Sequence, residues 1–307
     1  MLNIFTTNRC NFSCTYCSRN LEDNIQSDIC KYNDKSDFCF NDLCFLLDRY
    51  PGIKNVLFVG IGEPFLVNDL IPMAKFAKSR HKHVTVITNG SLLHNHWGNI
   101  GPFFDDILIS LHGFNAKGLS RIAKVKQEIY YQIVENIHHL ALIERKANHS
   151  LCIRASVVVL KDEIERVRQA AQFCADNFIP ILDLQNYLPY DLISTEQCIF
   201  DDDIAEIDYI HHLIEEFSGR IKINSLIPIK RDVTTLSWGC ISFFQTLRVD
   251  GLGQVSGCAR MMVPKRQNGD FRKEVNVWKN MYFAEMRKKF RTCEELPQCC
   301  RFCPESQ

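Results

Sequence analysis

The 307-residue chain has no excess of either charge: 36 Lys and Arg stand against 36 Asp and Glu. That balance leaves no footprint for a nucleic acid or an anionic membrane surface as partner. No apolar run approaches the length of a membrane span. No basic segment followed by an apolar stretch opens the chain, so no secretory signal is read there and a cytoplasmic location is expected. Apolar residues make up 46% of the chain, which suits a globular core and argues against disorder. The length fits about two domains, or one barrel with an appendage.

Cysteine, by contrast, is abundant. There are 15, an odd number, in a chain expected to stay in a reducing compartment. Clustered cysteines there point to metal or catalysis. They do cluster, near residues 10–17 and 240–303. Cys30, Cys39, Cys44, Cys152, Cys174 and Cys198 are scattered singly and read as small buried hydrophobes.

From residue 1 to about 190 the pattern alternates strand and helix. Strands are predicted over 2–6, 55–59, 83–88, 106–111, 151–160 and 179–185, rich in Ile, Val, Leu and Phe as strands covered on both faces would be. Helices are predicted over 40–50 with Asn41 as cap, over 69–80 with Pro72 in the first turn, over 121–145 and over 161–177. Six strands alternating with helices predict a parallel sheet, open or closed. Residues 191–224 read as a connecting helix and linker. Asp201, Asp202 and Asp203 precede an apolar helical stripe as its N-terminal cap.

Cys10, Cys14 and Cys17 stand at C-x3-C-x2-C spacing directly after the first strand. Three thiolates on one loop hold three corners of a cubane iron–sulfur cluster and leave one iron open. A zinc loop closed by a distant fourth ligand is the alternative. With Tyr16 before the last cysteine, the run resembles the signature of the radical S-adenosylmethionine (SAM) superfamily. The resemblance implies a partial (β/α)6 TIM-like barrel over 1–190, a [4Fe–4S] cluster on the three cysteines, and SAM chelated to the open iron. In that family one electron cleaves SAM to a 5′-deoxyadenosyl radical.

Functional loops of a parallel sheet leave the C-terminal ends of its strands. Gly60-Ile61-Gly62-Glu63-Pro64 follows the second strand, and its glycines let backbone approach a ligand closely. It resembles the family's Gly-Gly-Glu-Pro motif for the SAM amino group, with Ile61 in place of one glycine. Thr88-Asn89-Gly90 follows the third strand and Ser110-Leu111-His112-Gly113 the fourth. The resemblance implies SAM contacts for Tyr16, Gly60, Gly62, Glu63, Asn89 and Ser110. Arg154, in an otherwise apolar fifth strand, needs an anionic partner, either the SAM carboxylate or a protein carboxylate. His112, Gln185 and Tyr187 are candidates for substrate contact or proton transfer.

In residues 225–307 a hairpin is predicted around Asp250-Gly251, and a helix over 279–291. Cys240, Gly253 and Cys258 resemble the opening of the SPASM and Twitch extensions of radical SAM enzymes. Cys300 and Cys303 complete the shorter Twitch pattern, which implies one auxiliary [4Fe–4S] cluster on Cys240, Cys258, Cys300 and Cys303. Cys293, Cys299 and Cys303 match the longer tail instead, but that pattern needs a cysteine at 290, which is Phe290. The alternative for these thiolates is structural zinc.

The expected function is hydrogen-atom abstraction from a small molecule in natural-product biosynthesis. The auxiliary cluster assists electron transfer, and flavodoxin or ferredoxin is the electron donor. The start of the cluster loop at residue 10 leaves no room for a peptide-recognition domain ahead of it, which favours a small substrate over a short peptide. A peptide maturase, forming thioethers or epimerising with a cysteine such as Cys198 as hydrogen donor, is the alternative enzyme. A zinc-stabilised binding protein is the alternative outside catalysis.

Overall fold

The computed structural model describes residues 1–17, 19–20, 36–146, 151–188, 195–231, 240–262, 268–292, 296–297, 299–300 and 303. Cys30, Cys293 and the Trp238-Gly239 pair before Cys240 lie outside them. Strands β1 (Leu2–Phe5), β2 (Asn55–Val59), β3 (His83–Thr88), β4 (Asp106–Ser110), β5 (Cys152–Val159) and β6 (Ile181–Asn186) fall where the pattern predicts. Three more join them: β7 (Lys222–Asn224), β8 (Leu247–Asp250) and β9 (Val255–Ser256). The order is β7-β6-β5-β4-β3-β2-β1-β8-β9, and the sheet does not close. Only the β8–β9 pairing is antiparallel among those described.

Both added edges lie beyond the expected barrel. β7 stands in the stretch read as linker, and three residues are too few to show a period of two. β8, read as half of a hairpin, also pairs in parallel with β1, Leu2 opposite Leu247 and Phe5 opposite Asp250. The C-terminal hairpin thus continues the same sheet.

Helices α1 (Phe40–Arg49), α2 (Leu70–Ser79), α3 (Trp97–Phe103), α4 (Ala116–Ala123), α5 (Glu128–Lys146), α6 (Arg166–Asp176), α7 (Ile204–Phe217), α8 (Ser242–Gln245) and α9 (Met281–Thr292) follow in chain order. The single helix predicted over 121–145 is two. Lys124 takes a left-handed conformation, φ 56°, and ends α4, an uncommon geometry for a residue with a side chain. Cys39 precedes α1, so Asn41 lies inside that helix and does not cap it. Asp203 does precede α7, but its carboxylate accepts from Phe200 N and Lys161 Nζ rather than from the helix.

The strands are not covered alike on both faces. Register keeps Leu2, Ile4, Val56, Phe58, Val84, Val86, Ile107, Ile109, Ile153, Ala155 and Leu182 on one face, all buried. They pack with helix residues such as Leu46, Met73, Ile137 and Ala170 in one core. The opposite face carries Asn3, Thr85, Asp106, Ser110, Arg154, Ser156, Asp183 and Arg248 among its apolar residues. Successive strand residues point to opposite faces, so this polar set is shared register, not chance.

The hairpin is fastened to the N-terminal half. Asp250 Oδ1 accepts from Leu252 N and Gln254 N, both at 2.9 Å. Arg272 forks onto Asp42 of α1 at 3.0 and 2.5 Å and donates to Gly251 O at 2.9 Å. A Cβ on Gly251 would stand 2.3 Å from Ser36 O. The neighbouring Asp37 holds the Thr7 hydroxyl at 2.7 Å and the Arg9 guanidinium. Gly251→Ala is therefore expected to lower the unfolding free energy by about 1–3 kcal/mol. Urea denaturation checks this, and an unchanged midpoint would mean that the hairpin does not pack on residues 36–37.

Candidate active site

At the C-terminal ends of β1 to β4 lies a cavity of about 450 Å³. Cys10, Cys14, Tyr16 and Cys17 line it from the loop after β1, Gly60, Ile61, Gly62 and Glu63 from the loop after β2, and Thr88 and Asn89 from the end of β3 and the turn after it. Ser110 and His112 line it from β4 and the loop that follows. The wall between them is apolar: Phe5, Phe12, Leu57, Val59, Ile61 and Ile87.

Glu63 ties these loops together. It is 2% exposed. Its Oε1 accepts from Thr88 Oγ1 at 2.7 Å and Phe65 N at 3.2 Å, and its Oε2 from Asn89 N at 2.8 Å. Burial pushes the carboxyl up to about 7, against the pull of the donors from Asn89, Thr88 and Phe65. Asn89 continues the chain of contacts. Its Nδ2 donates to Asn11 Oδ1 at 2.9 Å, and its Oδ1 accepts from Ser91 N and Ser91 Oγ. Asn11 Nδ2 returns to Ser91 Oγ at 2.8 Å. The cysteine loop is thus stitched to the turn after β3 by side-chain amides.

Gly62, which lines the cavity, also packs against the cysteine loop. Its N–H donates to Thr7 O at 3.0 Å, and Glu63 N donates to Arg9 O at 2.8 Å. A Cβ at position 62 would stand 2.1 Å from Arg9 O and 2.6 Å from Thr7 O. The missing side chain makes room for the backbone of the cysteine loop.

The three thiols fit a cluster with an open iron. They line one side of open space, and Cys10 Sγ accepts from Phe12 N at 3.4 Å with Asn89 Nδ2 at 4.0 Å. Hydrogen bonds to cluster sulfurs are one of the means by which a protein sets their potential. Burial and the neighbouring thiols push Cys14 up to about 12, so metal charge is what makes three adjacent thiolates tenable.

The Tyr16 hydroxyl and His112 Nδ1 share a hydrogen bond of 2.6 Å. Burial, with the nearby Arg166 charge, holds His112 down at about 4. The imidazole is therefore neutral at neutral pH. Arg166 pairs with Glu163 at 2.7 Å and donates to His112 O at 3.0 Å.

The other expected residues lie elsewhere. Arg154 is on the polar face, but its guanidinium is forked onto Asp183 at 2.9 and 2.7 Å, the protein carboxylate that was the alternative to SAM. Gln185 is exposed on β6. Tyr187 packs on a small separate core of Cys198, Phe200 and Ile229, and neither tyrosine nor glutamine lines the cavity. Cys198 is fully buried there and donates to Tyr187 O at 3.3 Å. Sequence reasoning missed Asn3, Phe12, Arg248 and Ala259, all cavity-lining. Alternation along β1 and β8 was the available signal for the first and third.

Past Arg248 and Ala259 stand the C-terminal cysteines. Cys258, Cys299, Cys300 and Cys303 lie close enough for their charges to act on one another. Interaction between the two thiols lowers Cys299 and, together with burial, raises Cys300. Cys299 therefore joins this group although the Twitch set omits it. Cys240 is buried immediately ahead of α8.

A family model described as the radical SAM superfamily matches residues 4–174. The chain belongs to the radical SAM superfamily. It is an iron–sulfur enzyme of that family, whose cofactors are the [4Fe–4S] cluster and SAM. Membership sets aside the zinc-stabilised binding protein. A SAM-dependent nucleotide dehydratase of Selenomonas ruminantium is 22% identical over 163 residues, 52% of this chain and 56% of the relative. The chain thus matches little more than half the length of that curated relative. The crystal structure of SuiB from Streptococcus suis bound to precursor peptide SuiA is similar at TM-score 0.69 and 14% identity, over 93% of this chain and 66% of SuiB. That of anSMEcpe with bound AdoMet and Cp18Cys peptide is similar at TM-score 0.66 and 14% identity, over 98% of this chain and 87% of that one. At these identities the likeness is one of fold. Among the described residues no helix is long and apolar enough to cross a membrane.

Two outcomes follow from the loop geometry. In Gly62→Ala the clash falls on backbone, so the cysteine loop must move; iron bound after anaerobic reconstitution drops while far-UV circular dichroism stays that of the wild type. Equal iron in both proteins would refute the cradle. Glu63 gives a pH signature. The unfolded carboxyl ionises near 4.5 and the folded one near 7, so the folded chain holds the extra proton between them and stability falls as pH rises through that window. Glu63→Gln lacks this slope. The stability difference between wild type and variant shrinks by about 3 kcal/mol from about pH 5 to about pH 8, read by urea denaturation. A constant difference would mean that Glu63 ionises alike in both states.

Proposed function

We propose that the chain cleaves SAM reductively in this cavity and removes a hydrogen atom from a small polar substrate in natural-product metabolism. A second iron–sulfur cluster on C-terminal cysteines assists electron transfer, and a flavodoxin or ferredoxin supplies the electron. The observation that carries the reading is one cavity bounded by Cys10, Cys14 and Cys17 on one side and by Arg248 and Ala259, beside Cys258, on the other. Its volume is at the small end for a ligand site, which favours a small substrate.

Cys10, Cys14 and Cys17 would hold the first cluster; with SAM on its open iron, it supplies one-electron cleavage of SAM to a 5′-deoxyadenosyl radical. The protein's part is position and exclusion. An amine whose lone pair is on iron offers donors only, and the amides of Gly62 and Glu63 are already bonded to Thr7 and Arg9, so the turn after β2 would serve the SAM amino group through carbonyl oxygens. Asn89 and Ser110 bring polar groups to the same space. His112, hydrogen-bonded to Tyr16 through Nδ1, is a neutral imidazole on the cavity wall and a candidate for substrate contact or proton transfer. Phe5, Phe12, Leu57, Val59 and Ile87 keep water from the reacting carbon.

A peptide substrate is the second reading. On the polar face Gln185 of β6 is exposed, and the similar SuiB and anSMEcpe structures hold peptides. An epimerase using Cys198 as hydrogen donor does not fit, because that thiol is buried away from the cavity.

For the second cluster Cys240, Cys258, Cys300 and Cys303 are the proposed ligands, with Cys299 beside them. Iron content after anaerobic reconstitution tests both centres. About eight irons per chain, falling to about four when Cys10, Cys14 and Cys17 are all changed to alanine, is the expected result for two [4Fe–4S] clusters. A change from about four to none would remove the auxiliary cluster from the proposal. Zinc without iron would overturn the whole reading.

A further inference from the structure

Asn3 and Arg248 are direct register partners across the β1–β8 pairing, and both line the cavity. Asn3 is 6% exposed, and its Oδ1 has no hydrogen-bond partner among the described residues. Buried amide oxygens are nearly always paired, so one that faces a cavity unpaired is waiting for a donor from a ligand. Arg248 donates through Nη1 to Gly257 O, which props the guanidinium across the hairpin. Among the described residues it forms no ion pair, and its remaining donors are open.

Among the described residues no other lysine or arginine lines the cavity. Glu63, the acid in the lining, is enclosed by Thr88, Phe65 and Asn89. His112 is neutral. The Arg248 charge also reaches the Cys258 thiol, but among the described residues no carboxylate pairs with it, and a guanidinium in a largely apolar pocket selects an anionic oxygen group.

SAM's own carboxylate is not that group. With a cluster on Cys10, Cys14 and Cys17, that carboxylate would be held at the cysteine loop, which follows the end of β1. Asn3 is two residues back from Phe5, roughly 6.6 Å deeper along the strand.

We infer that Asn3 and Arg248 form the subsite that anchors the substrate, taking a carboxylate or phosphate with a hydrogen-bond donor beside it. The inference rests on the radical reading of the cavity. Arg248 binds the anionic oxygens and Asn3 Oδ1 the adjacent donor. The rest of the substrate then extends up the wall of Phe5 and Leu57 towards the cysteine loop.

The test uses SAM-loaded, reconstituted protein and isothermal titration. The probes are 2-hydroxyglutarate, a carboxylate beside a hydroxyl; glycerol 3-phosphate, a phosphate ester near hydroxyls; and glycerol as the neutral control. At least one anion is expected to bind once per chain while glycerol does not, and the better anion identifies the group. Arg248→Gln weakens that anion at least about tenfold. Arg248→Lys, which keeps the charge but loses the fork, weakens it less, as does Asn3→Ala, which keeps the charge. Absence of binding by either anion, or equal binding by wild type and Arg248→Gln, would overturn the subsite. Iron content and SAM cleavage of the same wild-type preparation judge the radical reading separately.

Discussion

Three loops from three strands meet on one buried carboxylate. Glu63 accepts from the loop it belongs to and from the turn after β3, and the backbone beside it receives the cysteine loop. Removing such a group from water is costly unless donors replace the water. Three donors do so here, and their directions fix where the loops stand. Asn89 and Asn11 extend the arrangement to the cysteines, so the thiols hang from a network whose anchor is an acid with no solvent contact. The network positions, and what it positions is a set of sulfurs around open space.

The sheet separates two tasks by register. Its apolar face belongs to the helices and to stability. Its other face carries the cavity, where Asn3, Ser110 and Arg248 alternate with apolar neighbours, and beside it the Arg154–Asp183 pair. A one-residue slip would exchange the faces and bury those polar groups among the helices. Hydrogen-bond register is therefore a condition for the site and not only for the fold.

Much of this was legible in the sequence because it is local. The C-x3-C-x2-C loop, Gly62-Glu63-Pro64 and Thr88-Asn89-Gly90 are short runs at strand ends, and the structure gathers them in one cavity. What escaped depends on partners far along the chain. Arg154 in an apolar strand demanded an anion, and the demand was sound. The anion is Asp183, one strand over, and nothing in the sequence ranks it above a cofactor. Asn3 and Arg248 were invisible as a pair because a hairpin pattern does not reveal that its first strand also pairs with β1. Gly62 was read as permissive towards a ligand, and its neighbour is also Arg9 O. Close packing of backbone on backbone leaves no mark beyond the glycine itself.

The pairing of β1 with β8 also bears on how the molecule is made. β1 finds β2 about 50 residues on, but its other neighbour is about 245 residues away. During synthesis one edge of β1 therefore stands open until residues 247–250 have emerged, presenting unpaired amides and carbonyls to any other strand. The loop that follows this strand carries the first three cysteines. Its support is complete only after the hairpin has docked, which makes late docking the step that separates a chain ready for metal from one still exposed to misassembly.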